Sequence, residues 1–145
     1  MSSYTARGAW KEKTNGIASM DLRALLLKTS TVMAKTVNKV SEIVAGEATG
    51  YSRITLSGVG VIEDDANELA EVVADHAVVT GLADQGVDLQ VVFYDHNGAD
   101  DTARDVIGWM DLPAGTRGNG QPLLLTWGAP TNPAETRGAI LRTTF

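Results

Sequence analysis

The chain has 145 residues, 43% of them apolar, with 15 glycines and only eight aromatic residues, which describes one folded domain rich in turns rather than a disordered chain. It contains no cysteine, which excludes disulfides, thiolate zinc sites and cysteine nucleophiles. The net charge of −6 is unevenly spread: residues 1–60 hold eight Lys/Arg against four Asp/Glu, and residues 61–145 hold four against fourteen.

Such polarity suits head-to-tail packing with copies of the same chain or seating on another charged surface. A solvated surface with no partner accounts for it equally well. No apolar run approaches a membrane span, and residues 1–15 lack the apolar centre of a signal peptide. A soluble chain is therefore expected, with no membrane role.

Residues 1–19 show no sustained periodicity but carry Tyr4 and Trp10 among Arg7, Lys11 and Lys13. A merely frayed terminus gains little from large aromatics, so this stretch is expected to be an extended arm that orders against a neighbouring subunit. Asn15-Gly16 marks a turn. Residues 17–27 then predict a strand that becomes continuously apolar toward its end, hence central and buried on both faces.

Residues 32–45 predict the one short helix. Val37, Val40, Ile43 and Val44 share a face opposite Lys39 and Glu42, with Gly46 as the stop. Residues 51–57 alternate as a half-buried strand, with Ile54 and Leu56 inward. Residues 58–62 continue extended, Gly58 and Gly60 suggesting a bulge or a close backbone crossing. An acidic turn follows at residues 63–67.

Residues 68–80 fit either a helix or two strands. Their β-branched content and the break at Asp75-His76 favour two strands. Residues 87–94 form the most regular strand of the sequence, and residues 106–112 its antiparallel return. Asn97-Gly98 lies in the intervening turn. Residues 123–127 read as a last core strand, and residues 139–145 as an edge strand or contact arm.

The expected fold is mainly β: a β-sandwich-like domain of about six to eight short strands with one short helix and an extended N-terminal arm. The predicted boundaries are an arm at residues 1–19, a β-rich core at 20–128 and a tail at 129–145.

Candidate chemistry is sparse. His76 and His96 each follow an aspartate, but sequence neighbours in a strand point to opposite faces, and no nucleophile elbow is present. Both read as surface turn histidines, and no catalytic residue is assigned. Asp95, Asn97, Asp100, Asp101 and Asp105 make an oxygen-rich loop, but Gly98 arrives too early for a calcium loop and no glutamate closes it. A solvated hairpin tip is the preferred reading. Glu63, Asp64 and Asp65 need no metal either.

Gly58-Val-Gly60 lacks a dinucleotide fingerprint, and Arg117 in the glycine-rich 115–120 loop is a single basic residue. No metal and no cofactor is assigned. The acidic balance opposes a broad nucleic-acid surface.

Residues 22–27, Thr29-Ser30, Val40-Ser-Glu-Ile-Val-Ala-Gly-Glu47, Gly50-Tyr-Ser-Arg53 and Thr55-Leu56 together resemble a family of small tailed-bacteriophage virion structural proteins, of the capsid-decoration or minor-tail type. The likeness continues through Asp64 to Asn67, Ala70, Ala74-Asp75 and Val79-Thr80, then residues 90–94 and 106–112. It covers about residues 21–127, and Gly50-Tyr-Ser-Arg53 is its most specific piece. The N-terminal arm is longer than the family's usual one, and residues from 128 onward have no counterpart.

The resemblance implies a non-enzymatic virion protein, assembled in the host cytoplasm, with the major capsid protein or other virion subunits as partners. A cyclic homo-oligomer, with a trimer favoured, is the expected state. The arm residues Tyr4, Arg7, Trp10, Lys11 and Lys13 would make the partner contacts.

Overall fold

A computed structural model describes residues 3–4, 16, 19–64 and 66–144. Ten strands lie among them: β1 (Ser3–Tyr4), β2 (Leu22–Lys28), β3 (Ile54–Thr55), β4 (Gly60–Asp64), β5 (Leu69–Ala74), β6 (Ala77–Val79), β7 (Leu89–Asp95), β8 (Val106–Asp111), β9 (Leu123–Leu125) and β10 (Gly138–Thr144). The protein is mainly β, as its alternating and β-branched segments require. A five-stranded sheet runs in the order β1-β8-β7-β2-β3, a three-stranded sheet in the order β10-β5-β4, and β6 pairs with β9 as a separate ribbon. Every pairing is antiparallel.

The five-stranded sheet is covered on both faces. The side chains of Leu22, Ala24 and Leu26 on β2 and of Leu89, Val91 and Phe93 on β7 share one core with Val72, Leu125, Ile140 and Leu141 from the other two sheets. Phe93 meets Trp127 edge-on there, ring centroids 5.4 Å apart, the geometry that aligns one ring's positive edge with the other's negative face. The alternate residues Leu25, Leu27, Val92, Tyr94 and Val106 face the opposite way, where Val40 and Ile43 cover them. This double burial explains the unbroken apolar run at residues 24–27 of β2.

The segment expected to form a helix instead forms two 3₁₀ turns, Val40–Glu42 and Val44–Gly46. Among the described residues there is no α-helix. Of the residues expected on one face, Val37, Val40 and Ile43 recur every three positions, which matches the 3.0-residue repeat of a 3₁₀ turn, while Val44 is exposed rather than on that face. Three β-branched residues in that series also weaken an α-helix. The Glu42 carboxylate closes the entry by accepting the backbone N–H of Asn38 and Lys39.

The strand expected over 17–27 starts at Leu22; residues 17 and 18 lie outside those described. The strand expected over 51–57 shrinks to Ile54–Thr55, because Tyr51 and Arg53 turn inward to a polar network. The two short strands of 68–80 are present as β5 and β6, broken at Asp75-His76. Gly58, at φ +63°, lies where a Cβ would sit 2.5 Å from an Asp75 carboxylate oxygen, so it makes room for a side chain rather than for the bulge or backbone crossing expected.

The last strand is part of the body rather than a free arm. Ala139, Ile140 and Leu141 are fully buried, and β10 forms one edge of the three-stranded sheet.

Candidate functional site

The Gly50-Tyr-Ser-Arg53 element lies beside the end of the second 3₁₀ turn, where Glu47 forms an isolated bridge to Leu27 of β2. The Tyr51 hydroxyl accepts the Leu26 N–H at 2.8 Å and donates to Glu47 Oε2 at 2.7 Å. Arg53 grips the same carboxylate through Nε (3.0 Å) and Nη2 (2.8 Å). It grips Asp101 through Nη1 (2.8 Å) and Nη2 (2.9 Å). One planar guanidinium thus forks onto two carboxylates, an arrangement its fixed donor geometry favours. Its central carbon lies 5.3 Å from the Tyr94 ring centroid, adding a cation–π contact.

The network continues into the 95–105 loop. Arg104 Nη1 reaches Asp101 at 3.2 Å and Nη2 reaches His96 Nε2 at 3.2 Å. Arginine can only donate, so His96 Nε2 accepts, the ring is neutral, and its Nδ1–H donates to the Tyr94 hydroxyl 3.2 Å away. Burial, and next the cations Arg23 and Arg104, hold the His96 imidazolium below its ordinary range. Burial and the hydrogen bond to Glu47 push the Tyr51 phenol far upward. The hydrogen bonds to Asp101 and then Glu47 fix Arg53 in its charged form, and Arg53 in turn lowers Asp101. The acids and cations here answer one another, and Tyr51 moves away from the pH range useful for proton transfer.

His96 therefore differs from the expected surface histidine: it is half-buried and both ring nitrogens are engaged. His76 is exposed, and its Nδ1 accepts the backbone N–H of Trp127 at 3.2 Å. The Asp75 side chain lies instead beside Gly58 and Ser57, so it does not orient the adjacent His76.

The tip of the oxygen-rich loop is solvated as expected, Asn97 and Asp100 being exposed, but its two ends are dry. Asp95 and Asp105 are each only 6% exposed, because each carboxylate ties segments together. Asp95 accepts the N–H groups of Asp21 and Asn97, and Asp105 takes Lys39 Nζ at 2.6 Å. Asp100 caps Thr102. Among the described residues no group of three or more histidines and carboxylates is placed to hold a metal ion. Asp64 accepts from Asn67, and Asp65 lies outside the described residues. Arg117, the basic residue of the glycine loop, is bound to Asp88 at 2.8 Å.

A second anchor went unread in the sequence. Glu71 on β5 is 1% exposed, accepts both the N–H and the hydroxyl of Thr131, and binds Arg142 of β10 at 2.7 Å. A lone glutamate inside a β-branched strand was its only sequence signal.

Of the expected arm contacts, Tyr4 lies in β1, paired with Gly108 of β8. Arg7, Trp10, Lys11 and Lys13 lie outside the described residues. At the sheet's other end, an open groove of about 570 Å³ separates residues 50–54 from residues 78–80. Val78 and its cross-strand partner Leu124 stand beside it, 56% and 60% exposed.

Comparisons with family models, curated proteins and solved structures found no match.

Proposed function

We propose that this chain is a non-enzymatic structural protein of a tailed-phage particle, a decoration (cement) protein that binds the outer head shell and bridges its subunits. One observation carries the reading. The most specific residues of the family resemblance, Tyr51 and Arg53, are joined with Glu47 and Asp101 in a closed clamp that holds loops together. Their chemistry is architectural. The body is best read as β-sandwich-like, because the five-stranded sheet faces the three-stranded sheet and the β6–β9 ribbon across one core. Such a body serves as a rigid platform, with the arm as its contact device.

The mechanism is linkage: a protein that binds only the assembled lattice makes disassembly less favourable. A trimer on a capsid symmetry axis fits this role. Imaging of purified particles by cryo-electron microscopy, with this protein labelled, tests the reading. Density repeating over the icosahedral shell supports decoration. Density at one vertex or in the tail favours a head–tail, minor tail or fibre-associated subunit, and absence from the particle removes the virion reading.

A calcium- or carbohydrate-binding β module is the contrasting class. It is disfavoured because the carboxylates of the 95–105 loop already bind the protein's own donors. A calcium-dependent rise in melting temperature, lost in Asp100→Ala, would restore it.

A further inference from the structure

The two ends of the five-stranded sheet are not alike. At one end β3 stands without an outer neighbour among the described residues. At the other, β8 receives β1 in antiparallel register, Ser3 opposite Trp109 and Tyr4 opposite Gly108. An edge that accepts an added strand does so through backbone N–H and C=O groups, which any chain of the right register offers. The pairing is short: two residues of the arm meet a six-residue strand, among the described residues.

Fourteen residues, 5–18, separate Tyr4 from Ser19. Fully extended, they reach about 46 Å at roughly 3.3 Å per residue. A compact body of this length has a radius of gyration of about 15 Å, hence a diameter near ~38 Å. The arm's reach therefore exceeds the width of its own domain. Residues 1–19 carry three basic residues against one acidic, whereas residues 61–145, which include β8, carry fourteen acidic against four basic. Opposite charge thus favours contact between the arm and the acidic part of the chain, in its own copy or in another.

We propose that the outer edge of β8 is an exchange site, where the Ser3–Tyr4 strand of one copy pairs with Gly108 and Trp109 of a second copy. The same two-residue ladder serves within a chain or between chains, and local concentration selects which forms. In a crowded array of copies, the exchanged form links neighbours without any new contact chemistry. The inference deepens the structural-protein reading by naming the partner of the arm, but its test needs no particle.

The chain's lack of cysteine makes the test clean. A spin label is placed on Ser3→Cys in unlabelled chains, which are mixed with ¹⁵N-labelled wild-type chains. At about millimolar concentration, comparable to the effective concentration of a short tether, the Gly108 and Trp109 amides of the ¹⁵N chains should lose most of their intensity. Adding Tyr4→Pro to the spin-labelled chain should abolish that loss. A ¹⁵N chain carrying its own spin label verifies that the label still permits pairing. Loss confined to this self-labelled sample overturns the exchange, as does broadening indifferent to Tyr4→Pro. If the exchange occurs but the protein is absent from particles, the edge assignment stands and the virion reading falls.

Discussion

Arg53 and Asp101, 48 positions apart, meet through two N–H···O contacts of 2.8 and 2.9 Å. Because the same guanidinium also holds Glu47, it fastens the 95–105 loop to the segment entering β3. Arg53→Ala would leave two carboxylates facing each other in a pocket where the arginine was only 20% exposed. Removing one partner of a buried pair costs about 3–5 kcal/mol, and some exposure puts this case at the low end. The melting temperature should fall by roughly 10 °C, at about 3 °C per kcal/mol for a domain of this size. Arg53→Lys should recover less than half, since an ammonium cannot fork onto both acids. Calorimetry of the two variants checks both expectations.

Glu71 contributes to the loss of stability in acid, together with other lowered carboxylates such as Asp101 and Glu135. Burial pushes its carboxyl up, but hydrogen bonds from Thr131 and Arg142 outweigh that and hold it below its ordinary range. A carboxylate depressed in the folded state stabilises fully above its unfolded value, about 4.3, and that contribution is lost as pH falls through the folded value. Urea midpoints should fall modestly between about pH 6.5 and 5, where His96 loses its contribution, and more steeply below that as Glu71 protonates. In Glu71→Gln the drop should be shallower and the midpoint at pH 7 lower.

His96 responds in a milder window. Its imidazolium is disfavoured in the folded protein, so its contribution is present above the unfolded value of about 6.5 and fades as pH falls through the lower folded value. Protonation puts a hydrogen on Nε2, facing the Arg104 donor 3.2 Å away, and the 95–105 loop loses that closure. Nitrogen chemical shifts should report the Nδ1–H form at pH 7. In Arg104→Gln the titration should move upward, but only part of the way, because burial is the larger cause.

Gly118 combines a left-handed backbone with a close backbone neighbour. It has φ +85°, and a Cβ there would fall 2.4 Å from the Ala83 carbonyl oxygen. Gly118→Ala should cost more than about 1 kcal/mol, because backbone rather than a flexible side chain must move. Gly120→Ala shares the positive φ but meets nothing within 4 Å and should cost less. Denaturant midpoints of the pair separate the clash from the conformational strain.

How far the sequence could be read followed the range of each interaction. The break between β5 and β6 was visible because Asp75-His76 interrupts two β-branched runs locally. Strands β7 and β8 were visible because alternation and a turn signal are also local. The Val37-Val40-Ile43-Val44 series predicts an α-helix, but Val44 faces outward and the segment closes in 3₁₀ turns. Arg53 was noticed as part of a motif, yet nothing near it indicated Asp101. The same distance hid Glu71, whose partners Thr131 and Arg142 lie 60 and 71 residues away. The burial of Asp95 and Asp105 was missed because composition alone makes such a loop look wet.

The seating of β10 against β5 also bears on rates. Its ladder joins residues 64 to 75 positions apart, and β2 pairs with β7 across 61 to 73 positions. Large loops must close before these contacts return any energy, so contact order is high and folding should take milliseconds to seconds. Contacts that form after the transition state leave folding speed untouched and slow only the reverse step. If the Glu71–Arg142 tie is one of them, it acts as a latch on lifetime: the protein assembles slowly and then comes apart more slowly still.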